Sequence, residues 1–421
     1  MHIKFTTKIR NKIPTDFLQV FLFDIVSKVF MIIITILLIR VMNLKEYEEI
    51  VKFTAISGFI LGIFGQGIAL SYIRYSTEQL SRGEKNSVGL HIVCTIFIII
   101  ISFVVLMFTP VFVGIYKTST KLIIFASYYG IISSLINMNQ AYFQSRELYI
   151  ESGIINNLKN VFILFSLLFA ITFFCDLKTE LVFVLYIVSG MVTFMIGIIR
   201  IYKNVRFTDI HFDFRKYRFI LKDSLYIVIY LLFINILNQV DVIMITNMMD
   251  EESVALYGIA FKYYSLLITL LPSIQSVMRV RTSKKEYIDD VNQRKFFILN
   301  WIKRAGVLVI PACALVILLS GIFMPIINGH KYDGSINAFR ILVIGVAFSY
   351  MFASNISIMM AAKKYKTLCF IALVAVSINF LGNLIFIPIW GINAAAVSTL
   401  VSQATLNISA TICIIVDKGG L

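Results

Sequence analysis

Charge is scarce in this chain. Asp, Glu, Lys and Arg make up only 14% of its 421 residues, where a soluble domain carries roughly 25%. No polar or low-complexity stretch is long enough to form a separate soluble domain, so a water-soluble enzyme is excluded. Cysteine is equally sparse. Cys94, Cys175, Cys313, Cys369 and Cys413 are scattered through apolar sequence without CxxC or other ligand spacing, which argues against a metal site and leaves them as small core hydrophobes. The histidines, His2, His91, His211 and His330, are isolated, and HExxH, GxxxxGKS/T and GxSxG are all missing. Those motifs supply a metal, a phosphate cradle or a nucleophile, so no enzyme activity and no cofactor are expected. The run GFILGIFGQG lacks the preceding strand that a dinucleotide loop needs; Gly58 and Gly62 instead present small residues for close helix packing.

What the chain has is apolar sequence. Hydrophobic residues reach 59% and the mean hydropathy is +0.87. Apolar runs of about 20 residues or more, each able to cross roughly 30 Å of hydrocarbon, recur from end to end. They predict an all-α integral membrane protein with twelve spans, at 18–41, 50–73, 88–113, 120–144, 153–175, 180–202, 219–247, 253–279, 299–324, 334–361, 366–388 and 391–416. The basic start MHIKFTTKIRNKIP is like a signal-peptide n-region, but the run after it is too long and contains Asp24 and Lys28. It is expected to remain as the first span.

Of the 38 Lys and Arg, 27 fall on the termini and the even-to-odd connections, 8 on the opposite connections, and Lys28, Lys159 and Lys262 lie inside spans. The positive-inside rule then puts both termini in the cytoplasm. This asymmetry also explains the net charge of +15 without nucleic acid as a partner. The basic connector YKNVRFTDIHFDFRKYRF divides the chain into an N-terminal lobe (1–203), a cytoplasmic linker (204–218) and a C-terminal lobe (219–421). The halves match: LLIRVMNLKEYEEIVKFTAIS parallels VIMITNMMDEESVALYGIAFK, and QSRELYIESGIINNLKNVF parallels AAKKYKTLCFIALVAVSINF. Six spans separate the members of each pair, so the repeat is parallel with its axis along the membrane normal. Such pseudo-symmetric six-helix lobes meet at a transporter's central cavity.

Ionisable residues inside spans are expensive and mark function. Asp24 and Lys28 are four residues apart on one helix face, so they can form an acid–base pair facing a hydrated cavity. Span seven carries Asn235, Asn238, Gln239 and Asp241, read as one broad polar face whose amides suit sugar hydroxyls. Lys262 in span eight is too deep to snorkel readily and is the preferred anion contact together with Lys28. Lys159, Arg40 and Arg74 are secondary candidates, placed nearer the ends of their helices. Tyr226, Tyr230, Tyr263 and Tyr264 could stack on sugar rings.

Three stretches carry a family resemblance: NQVDVIMITNMMDEESVALYGIAFKYYSLLITLLPSIQSVM, IPIWGINAAAVSTLVSQ and LIRVMNLKEYEEI. They resemble the seventh and eighth helices, the approach to the twelfth helix and the first turn of polysaccharide-export flippases of the MATE-like (MOP) superfamily. The likeness runs over nearly the whole chain in order and spacing, and departs at Glu48 and at Asn393-Ala394, where that family usually has Gly. It implies an O-antigen or capsule repeat-unit flippase with the MATE-like fold in a bacterial inner membrane. The implied substrate is an undecaprenyl-pyrophosphate-linked oligosaccharide, surrounded by membrane lipids, with polysaccharide polymerase machinery as a partner. H+ or Na+ coupling would run through Asp24 or Asp241. A MATE-type multidrug antiporter is the alternative and predicts an acid-dominated cavity. A membrane-embedded glycosyltransferase or polymerase is a third reading, and it predicts a large extramembrane loop.

Overall fold

The computed structural model describes residues 15–81, 87–173, 177–203, 214–268, 271, 274–275, 291–362 and 364–416. Among them every regular element is helical and no strand occurs. The helices are α1 (Thr15–Val41), α2 (Leu44–Ile60), α3 (Gly67–Ser81), α4 (Ser87–Met107), α5 (Thr109–Tyr116), α6 (Thr120–Ser145), α7 (Tyr149–Phe173) and α8 (Thr179–Tyr202). They continue with α9 (Phe214–Met248), α10 (Glu251–Leu267), α11 (Val291–Asn328), α12 (Ser335–Met351), α13 (Ala353–Ala361), α14 (Tyr365–Trp390) and α15 (Ile392–Val416).

Nine of the described helical stretches are long and apolar enough to cross a membrane, and α12 with α13, bent by 48°, makes a tenth. The chain is a multi-pass membrane protein. The expected spans at 88–113 and 253–279 do contain helices, α4 with α5 and α10, whose described apolar parts are shorter. Both chain ends, with most of the 204–218 connector, lie outside the described residues.

Local chemistry sets the helix boundaries. Asn43 and Glu46 form a capping box at the start of α2, each side chain accepting from the other's backbone N–H at 2.9 Å. Asp250 does the same work for α10, accepting from the Ser253 N–H at 2.9 Å. The turn in IPIWGINAAA depends on Gly391, whose φ of 60° suits glycine and whose N–H caps α14 on the Ile387 carbonyl at 2.9 Å. Between α2 and α3 the helix widens into a π turn, Leu61–Gln66. There Gly65 makes a tight approach: a Cβ on it would lie 3.0 Å from the Ser134 backbone.

Two compact units emerge, and each draws on separate stretches of sequence. One comprises Met1–Ile34, Ile60–Phe108 and Ile124–Leu225; the other comprises Thr35–Phe59, Thr109–Ile123 and Tyr226–Leu421. The first has an apolar core around Tyr72, Met138, Tyr142 and Ile155. The second has one around Ile298, Met359, Leu368 and Ala410.

Candidate functional site

In the first unit, α1 and α7 are joined by amides. Asn157 donates to the Phe23 carbonyl at 3.1 Å, and Asn160 donates to the Ser27 hydroxyl at 2.8 Å and to its carbonyl at 3.2 Å. Gly153 makes this possible, because a Cβ there would fall 2.2 Å from the Phe23 ring. The exposed large side chains of this part of α1 are Leu22, Val26, Val29 and Ile33, which share one face at helical spacing. At about 100° per residue, Asp24 and Lys28 lie roughly 130° or more around the helix from the centre of that face. Both are half-buried. Lys28 feels the charges of Asp24 and of Lys159 on α7, and its Nζ contacts the Met31 sulfur at 3.8 Å. Lys159 in turn lies 5.7 Å from the centroid of the Tyr129 ring. Asp24 and Lys28 thus lie away from the lipid-type face of α1, with Lys159 of α7 in electrostatic reach of Lys28.

The second unit holds a different device. Asp241 on α9 is wholly buried. It accepts hydrogen bonds from the hydroxyls of Tyr257 and Thr399 and from the Asn383 amide, the last at 2.7 Å. Asn379 donates to Thr399 at 3.0 Å, and Asn383 also donates to Asn379 at 3.1 Å. Asn383 Oδ1 is buried without a partner among the described residues. Four helices, α9, α10, α14 and α15, thus converge on one carboxylate through neutral groups. Gly382 allows α14 and α15 to close up, since a Cβ there would come 2.6 Å from the Ser398 hydroxyl.

The expected single polar face of span seven is split. Positions 239 and 241 are about 200° apart around a helix, so Gln239 turns to α2, where its amide would lie 3.0 Å from a Cβ on Gly58, while Asp241 turns to α14 and α15. Asn235 is buried and bonds the Leu231 carbonyl of its own helix at 2.8 Å. Asn238 is half-buried on the same helix. Lys262 is half-buried on α10, a helix with no exposed large hydrophobic side chain among the described residues, so it does not lie on a lipid-type surface. Arg40 is exposed and hydrogen-bonds carbonyls at the end of α11; the Arg74 side chain lies outside the described residues. Of the tyrosines, Tyr264 pairs with Gln403 and Tyr263 donates to Asn328 at 2.7 Å. Tyr230 is core, and Tyr226 keeps an exposed ring beside Lys366.

Sequence reasoning missed Asn379, Asn383 and Thr399, and also a buried ion pair between Glu48 and Lys52 on α2. The amides carried a signal: two Asn spaced i,i+4 in the apolar α14 fall on one face.

The comparisons with known proteins agree with this architecture. A family model described as polysaccharide biosynthesis protein matches residues 15–278. No curated protein matches the chain. Among solved structures, the lipid II flippase MurJ in an inward closed conformation aligns at TM-score 0.73 and 15% identity, covering 93% of this chain and 87% of that one. A multidrug resistance MATE family transporter of the MOP superfamily, inward-facing, aligns at TM-score 0.73 and 13% identity over 94% and 93% of the two chains. An outward-facing multidrug resistance MATE family transporter aligns at 0.69 and 12% over 95% and 94%. At these identities the likeness establishes a shared fold.

Proposed function

The chain belongs to the polysaccharide biosynthesis protein family, and from that membership we propose that it is a flippase for a lipid-linked oligosaccharide, an O-antigen or capsule repeat unit on undecaprenyl pyrophosphate. The observation that carries this reading is Lys28, turned away from the exposed apolar face of α1 and within electrostatic reach of Lys159 on α7. A pyrophosphate headgroup needs such cations, and the glycan beyond it needs amides and hydroxyls. The fold shared with a flippase of lipid II supports a lipid-linked cargo.

In this reading the twelve spans form two lobes, 1–203 and 219–421, that alternate access across a bacterial inner membrane with both termini in the cytoplasm. The headgroup enters from the cytoplasmic side and meets Lys28 and Lys262, while the polyprenyl chain stays in lipid. Moving a negative headgroup outward draws about 2.3 kcal/mol per charge from each 100 mV of membrane potential. Asp241 supplies the coupling: a carboxylate wholly buried among neutral donors is costly to leave charged in a membrane interior. A proton or Na+ bound there lowers that cost and lets the cycle reset. Asp24 is the second coupling group, and the polysaccharide polymerase is the partner that receives the product.

In cells that depend on this chain for surface glycan, Lys28→Ala and Lys262→Ala should each abolish the glycan while the protein still accumulates in the membrane. Full complementation by both would overturn the site assignment. The shared fold also favours a MATE-type drug antiporter as a second reading; resistance to cationic drugs on overexpression, with glycan unaffected by deletion, would select it.

A further inference from the structure

One end of the second unit is held by four side chains, each reaching from one half of the sequence to a helix-terminal carbonyl of the other. Arg40, in the last turn of α1, donates through Nε to the Ile327 carbonyl at 3.0 Å and through Nη2 to the Ile326 carbonyl at 3.1 Å, both in the last turn of α11. Lys331, just past α11, returns the contact by donating to the Met42 carbonyl at 2.7 Å. Asn247, in the last turn of α9, donates to the Ile115 carbonyl at the end of α5. Lys117, just past α5, returns that contact on the Asn247 carbonyl at 2.8 Å.

The arrangement is duplicated. Arg40 and Asn247 each stand three residues before the cap of the next helix, Asn43 and Asp250, so they hold the same place in the two repeated turns. Lys117 and Lys331 each follow the helix that is gripped. In both copies a side chain at one helix end grips the end of a helix from the other half, and a lysine beyond that second helix grips back. The chemistry suits a clasp. Carbonyls in a helix's last turn have no intrahelical partner and carry the negative end of the helix dipole, so cations and amides stabilise them. Val51 of α2 and Gly258 of α10 meet in the same unit with no room to spare, since a Cβ on Gly258 would lie 2.3 Å from a Val51 methyl.

We propose that Arg40, Lys331, Asn247 and Lys117 form a doubled latch that holds the two halves of the chain shut at this end, and that each transport cycle breaks and remakes it. The proposal rests on the alternating-access reading above. The test uses the full-length chain in membranes free of glycan substrate, with Val51→Cys as reporter and a membrane-impermeant maleimide applied to each membrane face in turn. Labelling of native cysteines is subtracted using the parent chain. Lys331→Met should raise the labelling rate from one face about tenfold, the effect of losing one charged hydrogen bond; Arg40→Met, which loses two, should raise it at least as much, and adding Lys117→Met and Asn247→Leu should raise it further. Lys331→Arg, which keeps the cation, should stay near the parent rate. A second reporter, Ser189→Cys, is buried in the other unit and should not respond. Unchanged labelling of Val51→Cys in the fourfold variant overturns the latch, as does an equal rise at Ser189→Cys, which reports general loosening. Because no substrate is present, failure of the flippase reading would leave this result standing.

Discussion

α1 and α9 open the two halves of the chain, yet they solve the problem of a polar group in lipid in opposite ways. On α1, Asp24 and Lys28 are half-buried, and Lys28 is within electrostatic reach of Asp24 and Lys159. On α9, Asp241 is sealed from solvent and held by hydroxyls and an amide from three other helices. The first arrangement sets ionisable groups beside one another; the second encloses one carboxyl among neutral donors. The difference teaches that an apolar helix can carry a carboxyl either beside a cation or enclosed by neutral donors, and that only the second ties four helices together.

The comparison breaks most visibly at the two carboxylates. Asp241→Ala strands the Tyr257 and Thr399 hydroxyls and the Asn383 amide, and an unpartnered buried polar group costs about 1–3 kcal/mol. We expect a loss of roughly 3 kcal/mol or more in detergent-solubilised thermal or denaturant unfolding, with low yield. Asp24→Ala should change stability by less than about 1 kcal/mol while still impairing glycan export. Equal destabilisation by the two substitutions would erase the distinction between them.

A smaller effect is expected at the α1–α7 seam. Gly153→Ala drives a methyl into the Phe23 ring and should cost about 1–3 kcal/mol; because it shifts α1 relative to Lys159, export should fall with it. Wild-type stability and export in Gly153→Ala would show that the seam is looser than drawn.

The smallest effect separates the two caps. The Ser253 hydroxyl and backbone N–H hold the Asp250 carboxyl below its usual range. Its contribution is therefore complete above the ordinary carboxylate pKa of about 3.9 and is lost as pH falls through the depressed value. Asp250→Ala should cost about 1 kcal/mol at neutral pH and progressively less in acid. Asn43→Ala, which removes an amide from the capping box, should cost a similar amount at neutral pH and lack the acid dependence that titration of Asp250 itself confers. Parallel pH profiles for the two variants would refute the assignment.

How much of this was legible beforehand follows from the residues. Asp24, Lys28, Lys159, Asp241 and Lys262 stood out because charge is rare in apolar sequence. The partners of Asp241 did not, since Asn383 and Thr399 are uncharged and lie 142 and 158 residues away in the chain, beyond any spacing rule. The single face expected on α9 failed because a helix turns by about 100° per residue, which sends Gln239 and Asp241 to different neighbours. Starting the second span at residue 50 separates Glu48 from Lys52 and hides the pair; the Asn43–Glu46 box begins the helix at Leu44 instead and puts both on it. The twelve-span count depends on stretches such as 253–279, part of which lies outside the described residues.

The turns at Met42–Asn43 and Met249–Asp250 are two residues long, and that brevity has a mechanical effect. In each, the cap that opens the second helix stands within two residues of the end of the first, so fraying on either side of the turn strains the other.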